Sequence, residues 1–289
     1  MTSTLQIEAH IVADSISTTG ARITTVQVTI HRFMLPELNT HRVFSRNSAS
    51  SRAIPVKTQL ERIEASPAFP ISWPFEKPGM QGGGELEGKD LAEAQALFTE
   101  VHAFVMNAVK TYVDDHPEIE HRLHKSVLNR LLEPFMWHTV VITSTEWDNF
   151  FGLRCSPLAQ PEIRRAAELI KVAYDASTPV KRSEFSINNE FASWHLPYIT
   201  LIERASLPLR DLQKISVARC ARVSSLHAGD ARDYEQDYRL VDSLTSAFPP
   251  HASPLEHVAV PCDDAAHHEH ANFEGWHQLR HFAGWNTRD

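Results

Sequence analysis

The sequence predicts an α+β fold, a mixed sheet with flanking helices. Three observations carry that expectation. Val26, Val28 and Ile30 alternate with Gln27 and Thr29, the period of a half-buried strand. Within residues 90–113, Leu97, Val101, Phe104, Ala108 and Tyr112 recur on one helical stripe. Strand-like and helix-like segments also follow one another with no linker and no internal repeat, so residues 1–289 are expected to form a single domain.

The elements follow in order. Residues 5–13 and 21–32 read as strands, joined by a turn at Thr18-Thr19-Gly20. A short helix or loop then carries THRVFSRNSASSRAIP, residues 40–55. Residues 66–89, SPAFPISWPFEKPGMQGGGELEGK, are rich in Pro and Gly and form a long loop, in which Trp73, Phe75 and Met80 point to partial packing. The helix over 90–113 follows, then a helix over 118–132 and a strand over 135–143. Thr145 offers an N-cap to the helix EWDNFFGLR. Pro161 suits the first turn of PEIRRAAELIKVAYDA. Residues 208–222 and 231–247 read as helices.

Composition narrows the function classes. The chain of 289 residues carries a formal net charge of -8, which disfavours a nucleic-acid coat. Residues 41–62 nevertheless hold Arg42, Arg46, Arg52, Lys57 and Arg62 against Glu61 alone, a basic patch suited to a small anion rather than a polymer. Cys155, Cys220 and Cys262 form no CxxC pair and no zinc spacing, which fits a reducing cytoplasm. The N-terminus has no signal-peptide pattern, and no apolar run approaches the roughly 20 residues that span a bilayer.

Four clusters could carry chemistry. THRVFSRNSASSRAIP supplies hydroxyl and guanidinium donors that suit phosphate; a solvated basic face is the plain alternative. In LRCSPLAQPEIRR, a turn before a helix brings Arg154 and Gln160 toward one pocket, with Arg164 behind them. In SVARCARVSS, Arg219 and Arg222 sit near a helix C-terminus, where cations favour the helix dipole. HHEH at 267–270 places potential metal ligands side by side, but neighbours in sequence point apart; an exposed polar loop is expected and no metal. GxGxxG, P-loop and GxSxG motifs are absent, so phosphate recognition falls to side chains.

Taken together, these stretches resemble the flavin-dependent thymidylate synthases. That family's RHR, a gap of seven residues, then Ser is matched by Thr40-His41-Arg42, Ser50 and, two beyond, Arg52. Its LR…AQ-x-EIR is matched by Leu153-Arg154 and Ala159-Gln160-Pro161-Glu162-Ile163-Arg164. Its AARVS and TPFEH are matched by Cys220-Ala221-Arg222-Val223-Ser224 and Ser253-Pro254-Leu255-Glu256-His257. In the usual members this last block comes first. The resemblance therefore implies a circularly permuted, viral-type chain order.

The resemblance implies reductive methylation of dUMP with FAD as cofactor and NADPH and methylenetetrahydrofolate as co-substrates. It also implies a homotetramer with active sites shared between subunits, no membrane and no nucleic-acid polymer. Arg154 becomes the catalytic residue at the pyrimidine. Ser48, Ser50, Arg52 and Arg130 join it in holding the nucleotide. His41, Arg42, Thr143, Thr145, Asn149, Ser224 and Ser253 become flavin contacts. The chain departs from the pattern at Thr40 (Arg in the family), Ser48 (Glu), Ala53 (Tyr) and Leu158 (His). Gln278 and Arg280 of GWHQLRH are available as replacement donors. The departures keep two alternatives open: a pyrimidine nucleotide hydroxymethylase acting on dUMP or dCMP, and a non-catalytic nucleotide binder.

Overall fold

A central antiparallel hairpin organises the chain. In the computed structural model, which describes residues 6–183, 193–223, 233–262 and 271–282, β1 (Glu8–Ser17) pairs with β2 (Arg22–His31). The hairpin closes on hydrogen bonds from Ser17 N to Ala21 O and Gly20 N to Ser17 O. Gly20 sits at φ 93°, which a side chain would resist. After α1 (Leu35–Asn39), β3 (Ser45–Ser48) runs through the middle of the serine- and arginine-rich stretch, where a short helix or loop was expected. Polar residues obscure this strand because it lies at the sheet edge. Next come α2 (Val56–Ala65), α3 (Gly88–Asp115), α4 (Lys125–Leu132) and β4 (Trp137–Ser144). Then follow α5 (Asp148–Arg154), α6 (Pro161–Ala176) and β5 (Val180–Arg182). The strand order is β3-β4-β2-β1-β5, with β5 parallel to β1 and the other pairs antiparallel.

The sheet is covered on both faces. Val26, Val28, Ile30, Val140 and Ile142 pack against Phe150, Ile163, Ala167 and Ile170 of α5 and α6. The other face presents Thr25, Gln27, Thr143 and Val141 to a second layer. That layer contains α7 (Leu201–Ser206), α8 (Leu209–Ala221), α9 (Tyr234–Ser246) and a 3-10 segment, Ser253–His257. The short pair β6 (Ala259–Pro261) and β7 (Trp276–Gln278) follows it. β2 is thus a fully enclosed strand rather than the half-buried one its alternation suggested. Its threonines are buried with partners at hand: Thr24 donates to Asp14 of β1, Thr25 meets Thr143 of β4 and His195 of the second layer, and Thr29 meets Thr139 of β4.

Two helix readings are corrected. Residues 118–132 break into a 3-10 turn, Ile119–His121, and α4. Thr145 does not cap α5; Trp147 occupies that position, and the Thr145 hydroxyl accepts from Glu274 N at 2.9 Å. In α3 the stripe of Leu97, Val101 and Phe104 faces outward, with Phe104 74% exposed. The buried stripe is Val105, Val109 and Val113, which packs on α2 and α4. Both stripes satisfy helical periodicity, so spacing alone did not choose between them.

Arg219 and Arg222 do more than decorate a helix end. Arg219 Nη2 donates to Glu203 Oε1 at 2.7 Å, its Nη1 donates to Tyr198 O, and Arg222 pairs with Asp237. Burial alone would raise the Glu203 carboxyl, but the donors Arg219 and Thr200 bring it down to about 2. Glu203→Gln leaves the Arg219 cation buried without its full partner. We expect it to cost about 3 kcal/mol of stability in urea unfolding; an unchanged midpoint would contradict the pairing.

Candidate functional site

Two polar clusters and one cleft bear on function. The first cluster joins the basic stretch to α5. Arg154 Nε donates to His41 Nε2 at 2.9 Å, and Arg154 Nη2 donates to Thr40 Oγ1 at 2.9 Å. Thr40 in turn donates its hydroxyl proton to Glu37 O at 2.7 Å. His41 is wedged against Phe44 and Phe150 and is only 5% exposed. Burial, with help from Arg154 and Arg46, lowers it to about 4. At neutral pH the ring is therefore uncharged. Its Nε2 lone pair receives Arg154, which leaves the proton on Nδ1. Arg46 closes the turn by donating to Leu38 O and His41 O. Thr40, where an arginine would crowd a second cation against Arg154, instead accepts from it.

The second cluster joins β3 to the Ser253–His257 segment, more than two hundred residues later in the chain. Ser45 Oγ donates to Glu256 Oε2 at 2.7 Å, Asn47 lies 3.4 Å from Ser253 Oγ, and His257 Nε2 lies 3.1 Å from the Asn47 amide. Gln278 donates to Ser45 Oγ, and Arg280 Nη1 donates to Glu256 Oε1 at 2.6 Å. Gln278 and Arg280 thus serve this internal network rather than standing as free donors. Arg280 neutralises the carboxylate that would otherwise repel an anion here.

The cleft has a volume of about 1170 Å³, ample for a nucleotide. Phe33, Trp73, Phe98, Arg32, Arg130, Gln160 and Glu162 line it. Glu133 Oε1 accepts from both Arg32 and Arg130, which holds the two guanidiniums at one wall. Glu162, buried at the start of α6, accepts from Ile71 N and anchors the Pro- and Gly-rich loop that forms the opposite wall. Of the three loop residues expected to pack, Trp73 sets its ring edge-on against Phe98, whereas Phe75 and Met80 are exposed.

The remaining expected site residues fall as follows. Ser48, Ser50, Arg52, Arg42, Asn149 and Ser253 are exposed. Thr143 is fully buried and its hydroxyl is shared between Thr25 and His257, so it meets no ligand directly. Thr145 is occupied by Glu274 N. Ser224 and the HHEH stretch lie outside the described residues. Arg130 and Gln160 share the cleft, whereas Arg154 turns instead toward His41; Arg164 pairs with Glu168 on the helix surface. Sequence reading passed over Ser45, Asn47 and His195. Only the polarity of β3 and a histidine amid apolar neighbours in WHLP hinted at them. No cluster of metal-ligating side chains forms among the described residues, and no helix there is long and apolar enough to cross a membrane.

The exposed donors are the right kind for a dinucleotide cofactor. Arg42, Asn149 and Ser253, the exposed residues expected at the flavin, offer a guanidinium, an amide and a hydroxyl, and Glu256 is already paired with Arg280.

A family model described as thymidylate synthase complementing protein matches residues 17–180. Comparison with curated proteins finds no match. Among solved structures, the chain is similar to the UMP/dUMP methylase PolB from Streptomyces cacaoi bound with 5-Br UMP, at 16% identity over 58% of this chain and 88% of that one, with a TM-score of 0.47. The same methylase bound with 5-Br dUMP matches at 15% identity over 58% and 90%, with a TM-score of 0.46. The flavin dependent thymidylate synthase ThyX from Helicobacter pylori complexed with FAD and dUMP matches at 16% identity over 53% and 67%, with a TM-score of 0.34.

Proposed function

The chain belongs to the thymidylate synthase complementing protein family, and from that premise we propose that it is a flavin-dependent enzyme converting dUMP to dTMP. The observation that carries this reading is the meeting of β3 with Ser253–His257. The first lies inside the family-matched span and the second outside it, yet Ser45, Asn47, Glu256 and His257 form one network. That meeting supports a permuted chain order, in which the SPLEH block takes its family place from the other end of the chain.

On this reading Arg42, Ser253 and Asn149 hold FAD; Ser224, expected to join them, lies outside the described residues. Thr143 and Thr145 shape that region from behind: Thr143 through His257, and Thr145 through the backbone at Glu274. Held there, FAD would supply hydride-transfer chemistry, with NADPH as its reductant and methylenetetrahydrofolate as the carbon donor. The chain's own part is electrostatic and positional. Arg154, oriented by neutral His41 and by Thr40, offers its remaining N–H donors to the pyrimidine, where negative charge develops. The nucleotide on this reading spans from Arg154 at its base to Arg130 at the cleft; Ser48, Ser50 and Arg52 are exposed and reach a neighbouring subunit's nucleotide in a homotetramer.

Protein reconstituted with FAD is expected to show flavin absorbance that shifts on addition of dUMP. A flavin spectrum indifferent to dUMP would count against the reading. A protein that takes up no FAD but binds dUMP would favour the non-catalytic alternative.

A further inference from the structure

The inner face of the sheet carries a buried chain of hydrogen bonds that the proposed chemistry leaves unexplained. Arg182 Nε donates to Ser15 Oγ at 3.3 Å, and Ser15 Oγ lies 2.9 Å from His195 Nδ1. His195 Nε2 lies 2.8 Å from Thr25 Oγ1, which lies 2.7 Å from Thr143 Oγ1. Thr143 Oγ1 lies 2.8 Å from His257 Nδ1, and His257 Nε2 meets the Asn47 amide at 3.1 Å. Ser15, Thr25, Thr143, His195 and His257 are all buried. The sheet sets the alignment. Thr25 and Thr143 are direct partners in the β2–β4 register, while His195 and His257 are brought in together by the backbone bond from His195 N to Ala259 O.

Such a chain has a direction. A hydroxyl donates one proton, and a neutral imidazole has one N–H and one bare nitrogen, so fixing one end fixes every bond along it. Asn47 supplies the fixed end. With its nitrogen toward His257 the amide donates to Nε2 at 3.1 Å, and the same nitrogen faces Arg46 O and Ser253 O at 3.1 and 3.2 Å. The opposite orientation would set the amide oxygen against those two carbonyl oxygens. His257 therefore accepts at Nε2 and donates from Nδ1 to Thr143. Thr143 donates to Thr25, Thr25 to His195 Nε2, and His195 Nδ1–H to Ser15. Burial keeps both rings neutral, with Arg182 and Arg204 adding to the effect at His195.

We propose that this chain is a tautomer relay in which Asn47 is the positioning residue: held beside Ser253 by the Arg46 and Ser253 carbonyls, its amide sets His257 as the Nδ1–H tautomer and, through Thr143 and Thr25, sets His195 as the Nδ1–H tautomer facing Ser15. Its effect on the flavin rests on the reading of Ser253 as a flavin contact; the relay itself does not. The first test needs no cofactor. Imidazole nitrogen NMR of the full chain with isotope-labelled histidine, assigned with His195→Gln and His257→Gln, is expected to show the Nδ1–H tautomer for both rings near neutral pH. The Nε2–H tautomer at either ring overturns the proposal. Thr25→Val is expected to change or mix the His195 tautomer and leave His257 as Nδ1–H, while Thr25→Ser preserves both; an unaltered His195 tautomer in Thr25→Val overturns the proposal as well.

The second test is FAD titration by flavin fluorescence. Asn47→Ala is expected to weaken binding on the order of fivefold, with Thr25→Ser near wild type. Equal affinity in Asn47→Ala and wild type overturns the link to Ser253. A wild-type chain that binds no FAD overturns the flavin reading, and the tautomers still decide the relay.

Discussion

Arg154→Ala is expected to lower kcat/KM for dUMP by roughly 100- to 1000-fold, the loss typical when a donor aimed at developing charge is removed. The loss should fall mainly on kcat, because on the proposed reading the guanidinium meets charge that appears only in the transition state. Its orientation comes from two acceptors, His41 Nε2 and Thr40 Oγ1, each at 2.9 Å. Arg154→Lys should recover little, since an ammonium cannot span both acceptors and the substrate with a planar fork. Steady-state kinetics of the FAD-loaded protein decide the matter; an Arg154→Ala enzyme within a few fold of wild type would remove Arg154 from the catalytic role.

Acidification is expected to destabilise the fold steeply, beginning near pH 6.5. Burial lowers His41 to about 4, helped by Arg154 and Arg46, and lowers His138 to about 3, helped by Arg32. Burial lowers His257 to about 3 as well. In the unfolded chain these rings take up protons around pH 6.5. Below that value the unfolded state binds more protons than the folded one, so stability falls as pH drops, until each folded value is passed. Each ring contributes a loss of up to about 1.4 kcal/mol per pH unit in that window. For the three rings together, the melting temperature should fall by roughly ten degrees or more between pH 7 and pH 5. His138→Gln, which lies outside the relay, should make the dependence shallower by about one proton. A melting temperature that stays flat across that range would contradict neutral burial of these histidines.

The parts of this molecule that follow local rules were legible in its sequence. The β1–β2 turn announces itself through Gly20 and α6 through Pro161. β3 was not legible, because an edge strand of Ser, Arg and Asn has no apolar alternation to display. The outward stripe of α3 was misassigned because two apolar stripes share one helix and only tertiary packing chooses between them. At the site, the Arg154–His41–Thr40 contact joins residues that the motifs had already singled out, though not as partners. The network from Ser15 to Asn47 was invisible for a different reason. Its members are single hydroxyls and imidazoles scattered over the chain, and only the strand register aligns them.

The most direct test of the proposed activity is the mass of the nucleotide formed when the FAD-loaded protein is incubated with dUMP, NADPH and methylenetetrahydrofolate. The expected product is dTMP, formed only when all three are supplied. A hydroxymethylated nucleotide, or unchanged dUMP from protein that binds both FAD and dUMP, would contradict reductive methylation as the reaction of this chain.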